Sequence, residues 1–203
     1  YEGLEGLTIT VNDGTININA SDDGINAAGG TDSSGFGGFG HDAFSADSDA
    51  NIYINGGTIT INADGDGIDS NGNLYVTGGI IYVSGPESSA DGALDYNGEA
   101  TITGGTLIAA GASGMAENFG SDSTQGSILV TFTTQSAGTT ISLLDESGSM
   151  LLSWQSDKTY SSVVISSPDI VVGNTYTIKA GDYETTVTMD STIYGSGMGM
   201  GGF

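Results

Sequence analysis

The chain has 203 residues, with 35 glycines, no cysteine, and 25 acidic residues against two basic ones, Lys158 and Lys179. The formal net charge of -23 argues against nucleic acid or an anionic membrane as a partner, since there is no basic surface to hold phosphates. The lack of cysteine excludes disulfides, thiolate metal sites and a cysteine nucleophile. No run of about 18 apolar residues is present, so membrane insertion is not expected. This acidic, glycine-rich and Asx-rich composition is typical of bacterial extracellular or cell-surface proteins that meet calcium.

Four similar units follow one another from the start of the chain. They are LTITVNDGTININASDDGINAAG (7–29), IYINGGTITINADGDGIDSNG (52–72), LYVTGGIIYVSGPESSADGALDYNG (74–98) and ATITGGTLIAAGASGMAENFG (100–120). A unit of roughly 20 to 26 residues is in the range of solenoid coils. Each unit holds three short strand-like runs, which predicts an all-β chain with a three-sided parallel β-helix.

Alternation along the runs predicts which side chains face the core. In the second run of each unit the inward ladder is Ile16 and Ile18, Ile59 and Ile61, Ile81 and Val83, and Leu107 and Ala109. In the first run it is Ile9 and Val11, Ile52 and Ile54, Leu74 and Val76, and Ala100 and Ile102. Thr and Asn residues alternate with these and are expected to point outward.

Three further regions complete the predicted organisation. An excursion at about 30–51 interrupts the coils of residues 1–126; we expect a loop over one face, held by Phe36, Phe39 and Phe44, although a degenerate coil side is an alternative. Residues 127–190 change to hairpin-like strands that form either a cap on the open end of the coils or continued irregular coils. Residues 191–203 are rich in Gly and Met and are typical of a linker.

Acidic residues recur in the third run of each unit. Superposition of the units predicts one row of Asp23, Asp66 and Asp91, and a second row of Asn26, Asp69, Asp95 and Glu117. Carboxylates on adjacent strands lie about 4.8 Å apart and repel one another. Residues 1–157 contain no Lys or Arg to neutralise them, and we expect the two lysines to be solvated on strands of the C-terminal region.

Hard-cation coordination relieves this repulsion, because Ca²⁺ prefers six to eight oxygen ligands at about 2.3 to 2.6 Å and Mg²⁺ demands a stricter octahedron. The alternative is that these residues only form side-chain hydrogen bonds within the turns. The sequence predicts one or more calcium sites among Asp22, Asp23, Asn26, Asp64, Asp66, Asp69, Asp91 and Asp95.

DDGIN (22–26) and DGDGID (64–69) resemble the DDGxD motif of family 9 pectate lyases, which are right-handed parallel β-helices with a catalytic calcium. The run from Leu7 to about Val130 more closely resembles a bacterial carbohydrate-binding domain family built on the same β-helix. The resemblance implies a right-handed helix, calcium ligands at Asp22, Asp23, Asn26, Asp64, Asp66 and Asp69, and a secreted or surface-attached protein of a polysaccharide-degrading bacterium.

Lyase chemistry also needs a strong base, usually lysine or arginine, and the coils offer only His41 in a Gly-rich loop. The sequence contains Ser, His and Asp residues but not the nucleophile elbow that a Ser-His-Asp hydrolase requires. A metal-binding stack explains the paired acids with fewer assumptions than the two carboxylates of a glycoside hydrolase do. We therefore predict no catalytic residues.

Aromatic side chains offer a surface for sugar rings. Tyr53, Tyr75 and Tyr82 are the predicted carbohydrate-binding residues, although cross-strand aromatic pairing is the alternative. The leading hypothesis is a non-catalytic, calcium-dependent protein that binds cellulose, pectin or polygalacturonate. A lyase with an unconventional base, or a structural surface or adhesin solenoid, are the alternatives.

Overall fold

A computed structural model describes residues 1–28 and 49–195 of the chain. Most of the predicted excursion, including Phe36, Phe39, His41 and Phe44, lies outside the described residues, as does the tail from residue 196. The described residues contain strands and turns and no helix, and therefore none that is long and apolar enough to cross a membrane. The prediction of an all-β chain is confirmed.

Nineteen strands occur in the described ranges. The first twelve are β1 (Leu4–Glu5), β2 (Thr8–Val11), β3 (Thr15–Ala20), β4 (Ile25–Ala27), β5 (Asn51–Ile54), β6 (Thr58–Ala63), β7 (Ile68–Ser70), β8 (Asn73–Val76), β9 (Ile80–Ser84), β10 (Leu94–Tyr96), β11 (Ala100–Ile102) and β12 (Thr106–Gly111). The last seven are β13 (Ser127–Gln135), β14 (Thr140–Leu144), β15 (Met150–Gln155), β16 (Tyr160–Ser166), β17 (Thr175–Ala180), β18 (Tyr183–Thr188) and β19 (Ile193–Tyr194).

The first twelve strands pair in parallel within three sheets. The acidic sheet has the order β1-β4-β7-β10, and the tyrosine sheet has the order β11-β8-β5-β2. The strands β3, β6, β9 and β12 form the parallel part of a seven-stranded sheet, which we call the shared sheet. The chain visits the three sheets in the same order in each sequence unit, so equivalent positions of successive units become neighbours.

Aliphatic side chains from the three parallel sheets build one core, as the alternation predicts. Ile52, Ile59, Ile68, Leu74 and Ile81 are completely buried within it. At the β1–β3 end, Ile9 and Ile16 are only partly buried, because no further described strand pairs with that end. The parallel strands therefore stack their aliphatic residues in register.

Three C-terminal strands, β16, β13 and β19, extend the shared sheet beyond β12. β16 pairs antiparallel with β12 on one side and with β13 on the other, and β13 pairs with β19. β15, β14, β17 and β18 form a separate antiparallel outer sheet. β12 serves two cores, since Leu107 and Ala109 lie in the first, while Ile108 and Ala110 join the residues of the outer sheet in a second. Residues 127–195 thus cover the β12 edge and one face of the shared sheet.

The glycines of the two DGI segments, Gly24 and Gly67, are required by packing. A Cβ at Gly67 would collide with the Val83 side chain and the Ala93 carbonyl oxygen, and one at Gly24 would collide with Ile61 and the Gly67 carbonyl oxygen. The DGI pattern therefore lets the acidic strands approach the core ladder of the shared sheet.

Gly67→Ala should lower the free energy of unfolding by about 1–3 kcal/mol through overpacking. Gly6→Ala is the control, because its nearest neighbours are Ile9 Cγ1 at 3.7 Å and the Thr8 carbonyl oxygen at 3.8 Å, and we expect a change within about 0.5 kcal/mol. Urea unfolding of both variants measures the difference. Equal effects of the two substitutions would contradict the packing role of Gly67.

Candidate metal centre

The acidic sheet brings polar side chains of neighbouring strands into register. Asn26 on β4 pairs with Asp69 on β7, and Asp69 pairs with Asp95 on β10. The residues just before them in the chain, Ile25 and Ile68 among them, are buried in the core. The first three members of the predicted row of Asn26, Asp69, Asp95 and Glu117 are therefore observed on the side of the sheet away from the core, whereas Glu117 lies outside the strands of the sheet.

Three carboxylates converge next to this row. One carboxylate oxygen from each of Asp23, Asp66 and Asp69 lies within 4.8 Å of the other two. Asp23 and Asp66 precede β4 and β7 in equivalent turns, and Asp69 enters from β7. All three side chains are partly buried. This triad is the cluster that offers the oxygens of a metal site.

Hydrogen bonds orient two members of the triad. Asp23 Oδ1 accepts the Asp66 backbone N–H at 2.8 Å, and Asp23 Oδ2 accepts Asn26 Nδ2 at 3.1 Å. Asp66 Oδ1 accepts the backbone N–H of Gly92. Each of these carboxylates thus accepts a bond from the backbone of the turn that precedes the neighbouring strand of the sheet. This bond fixes the carboxylate and leaves further lone pairs on its oxygens.

Ionisation of the three triad carboxyls is unfavourable without a cation. Burial raises the pKa of Asp66 to about 9, against the bond from Gly92 and with support from the Asp95, Asp69 and Asp23 charges. Burial likewise raises the pKa of Asp69 to about 8 and that of Asp23 to about 6, and neighbouring carboxylates add to both shifts. At neutral pH, Asp66 and Asp69 therefore hold protons that a divalent cation would displace.

Two buried oxygens lack hydrogen-bond donors in the described part of the chain. Asn26 Oδ1 lies beside the triad, since the same side chain bonds to Asp23, and Glu117 Oε2 lies near Asp95 at the other end of the acidic row. Burial raises the pKa of Glu117 to about 7, and the charge of Asp95 contributes. A buried acceptor without a donor is costly, and an oxygen-binding cation removes that cost. The residues present therefore fit a hard cation, although nothing in this geometry distinguishes calcium from other metals of that kind.

The register corrects the position of Asp91. Leu94 pairs with Ile68, and the motif ADGALD has one more residue between its aspartates than DGDGID has. Gly92 rather than Asp91 therefore lies opposite Asp66, as the hydrogen bond between them indicates. The predicted row of Asp23, Asp66 and Asp91 is wrong at its last member.

Two other predicted ligands lie outside the triad. Asp22 is exposed beside Asp23. Asp64 forms an ion pair with Lys158, whose ammonium also donates to the Ala63 carbonyl oxygen. Lys158 lowers the pKa of the Asp64 carboxyl through this hydrogen bond and through its charge.

The prediction of a solvated Lys158 is wrong, because its side chain is only 14 % exposed. Lys158 and Asp64 are 94 positions apart in the chain, so no local sequence pattern predicts that they pair. Lys179, in contrast, pairs with Glu184 at 2.9 Å on the surface.

Sequence reasoning also missed one strand of the acidic sheet. β1 pairs with β4 through Leu4 opposite Ile25 and Glu5 opposite Asn26. The tripeptide Gly3-Leu4-Glu5 has the pattern of Gly24-Ile25-Asn26 and was the available signal. The acidic row therefore begins with Glu5.

The three predicted carbohydrate-binding tyrosines occur in two settings. Tyr53 and Tyr75 stack on each other in the tyrosine sheet, with ring centroids 5.2 Å apart and planes at 16°. Tyr82 stacks on Trp154 of β15 at 5.4 Å and 8°, at the margin of the second core. Tyr82 thus contacts the outer sheet, whereas the other two stand on a face of the parallel strands.

No protein-family model, curated protein or solved structure matches the chain. The resemblance to carbohydrate-binding domains and pectate lyases therefore stays a prediction.

Proposed function

We propose that this chain is a non-catalytic, calcium-dependent carbohydrate-binding protein of the cell exterior that attaches to plant cell-wall polysaccharides. The observation that carries the proposal is the convergence of Asp23, Asp66 and Asp69 beside the donorless Asn26 Oδ1.

We infer that the three parallel sheets are the sides of one right-handed parallel β-helix. The cyclic order in which the chain visits the sheets and the single core between them support this arrangement. Parallel strands joined by crossover connections are right-handed in about 98 % of known cases. Residues 127–195 then cap the end of the helix and protect its last strand edge.

We infer calcium rather than magnesium from the general preferences of the two ions. The donors are carboxylate and amide oxygens on two equivalent turns and two neighbouring strands, and Ca²⁺ accepts six to eight such ligands in variable geometry, whereas Mg²⁺ demands a stricter octahedron. Several coordination positions are left for water or for a ligand. A cation held there accepts the carboxylate of a uronate, so a protein of charge -23 can hold an acidic polymer.

The environment of Lys158 supports binding rather than cleavage. A lyase needs an unprotonated base next to the metal-bound sugar, while the Lys158 ammonium is held by Asp64 and the Ala63 carbonyl oxygen. Lys179 is paired with Glu184 in the outer sheet. Neither lysine is therefore placed to act as the base toward a sugar bound at the triad.

The test is the binding of polygalacturonate with and without calcium. We expect the protein to be retarded in gels that contain polygalacturonate when calcium is present and to migrate freely when a chelator replaces it. Unsaturated uronides, which absorb in the ultraviolet, should not be released. Retardation that survives the chelator would contradict the metal bridge, release of uronides would favour a lyase, and calcium stabilisation without retardation would favour a structural solenoid.

A further inference from the structure

The outward side chains of the tyrosine sheet are uncharged, although one residue in eight of this chain is acidic. On its four strands the outward residues are Thr8, Thr10, Asn51, Tyr53, Asn73, Tyr75 and Thr101. A carboxylate next to these residues is that of Glu99, which immediately precedes β11, is exposed, and lies opposite Asn73 at the edge of the face. Burial raises the pKa of Tyr75, and the charge of Glu99 adds to this shift. The acidic sheet instead carries Glu5, Asp69 and Asp95 at its outward positions. The two faces therefore suit ligands of different charge.

In the tyrosine stack, each ring uses one face to contact the other ring and has a second face outside the stack. Because Tyr53 and Tyr75 cover one another at 5.2 Å, a sugar cannot lie flat across both rings. The remaining face of Tyr53 is turned toward Thr10, its partner on β2, and that of Tyr75 is turned toward Thr101, its partner on β11. Each end of the stack is thus a notch with an aromatic wall and a threonine hydroxyl beside it.

Rows of polar side chains run parallel to the stack across the strands. Asn73 Nδ2 donates to Asn51 Oδ1 at 3.0 Å on one side, and Asn55 Nδ2 donates to Asn12 Oδ1 at 2.9 Å on the other. Thr77 Oγ1 extends the second row with a bond to Asn55 Oδ1 at 2.8 Å. These bonds hold the side chains in a regular, flat array of amide and hydroxyl groups.

We propose that the tyrosine sheet is a second polysaccharide-binding face, which binds a neutral β-linked glucan without metal. Sugar C–H groups pack on the free faces of Tyr53 and Tyr75, and sugar hydroxyls bond to the threonine and asparagine rows. This face suits a neutral sugar because its Thr and Asn side chains both donate and accept hydrogen bonds, as sugar hydroxyls do, while its strands carry no Lys or Arg for a uronate carboxylate. The inference rests on the proposed function and divides it: acidic polymer is held through the metal at the acidic sheet, and neutral polymer is held at the tyrosine sheet.

The experiment is a pull-down of the full chain on insoluble cellulose, with calcium or with chelator, and with three double variants. Thr10→Asp with Thr101→Asp places a charge in each notch, and we expect at least about tenfold weaker binding. Thr10→Val with Thr101→Val keeps β-branched side chains and removes only the hydroxyls, and we expect binding about threefold weaker. Thr15→Asp with Thr106→Asp is the control, because these residues occupy β3 and β12 of the shared sheet, the same number of strands apart. Its cellulose binding should stay within about twofold of wild type, as expected for sites outside the interface.

The outcomes separate this inference from the proposed function. Cellulose binding by wild type in chelator, lost in the notch variant and kept in the control, supports the inference. Cellulose binding that the chelator abolishes, or that both Asp variants lose equally, overturns it. Binding of polygalacturonate alone overturns the inference and leaves the proposed function standing, whereas binding of neither polymer overturns the proposed function as well. Calcium-induced stabilisation, measured on each variant, checks that the fold is retained.

Discussion

Calcium is expected to raise the midpoint of thermal unfolding by about 5–10 °C at a concentration a hundredfold above its dissociation constant. Binding to the folded state alone contributes about 2.7 kcal/mol under these conditions, and each kcal/mol shifts the midpoint by about 2–4 °C for a chain of this size. The unfolded chain cannot reproduce the site, because Asp23 and Asp66 are 43 positions apart and meet only through strand pairing. Differential scanning fluorimetry over a calcium series measures the shift.

At a fixed calcium concentration, the shift of the unfolding midpoint should increase with pH. Without metal, Asp23, Asp66 and Asp69 have folded-state pKa values of about 6, 9 and 8 against an ordinary value of 3.8. The folded state then binds more protons than the unfolded state, so the stability from these groups is complete below about pH 4 and is lost as pH rises through about 6 to 9. Calcium replaces the protons, and its stabilising effect should therefore be small at pH 5 and large at pH 9.

Calorimetry in two buffers of different ionisation enthalpy should detect the protons that calcium displaces. Magnesium is the control and should give a smaller shift, because it tolerates fewer arrangements of the ligands. A calcium shift that is the same at pH 5 and pH 9 would contradict the exchange of protons for metal. Equal shifts with magnesium and calcium would contradict the choice of calcium.

Local patterns in the sequence predict the parallel strands well. Alternation in TININA and TITINA predicts both the strands and their buried residues, and the structure places Ile16 opposite Ile59 and Ile18 opposite Ile61. Such success is expected, because repeated units that stack must present the same side chains to the same core. Similarity between units therefore carries tertiary information that a single strand lacks.

The candidate centre is less predictable because it depends on register at the level of one residue. A shift by one residue changes which side chain lies beside its neighbour, and the extra alanine in ADGALD removes Asp91 from the row while leaving Asp95 in it. Composition alone indicates that carboxylates need a cation, but it does not indicate which of them are buried.

No local sequence pattern predicts the contacts between the C-terminal region and the parallel strands. Lys158 reaches Asp64 because β16 pairs with β12 and brings the preceding turn, which contains Lys158, close to the end of β6. Trp154 reaches Tyr82 by the same arrangement of layers. Neither pair has a periodic signal, since each joins a repeat to a segment outside the repeats.

Asp66→Asn is expected to weaken calcium binding by at least about tenfold and to leave the metal-free fold almost unchanged. The loss follows because even indirect partners of a metal contribute about 10–100-fold to its affinity, and Asp66 belongs to the triad itself. The fold is retained because Asp66, with a pKa of about 9, is already uncharged at pH 7 without metal. Asparagine matches that neutral form and still offers an oxygen to the Gly92 N–H.

Asp64→Asn is the matched control, since it makes the same chemical change two residues earlier in the same motif. Asp64 is paired with Lys158 and lies outside the triad, so calcium affinity should stay within about twofold of wild type, as for a surface change that removes no ligand. Isothermal titration calorimetry of both variants at pH 7 gives the two affinities. If Asp64→Asn weakened calcium binding as much as Asp66→Asn, the aspartates of the motif would act as a diffuse acidic patch rather than through the triad. If neither substitution changed it, the bound ion would lie elsewhere.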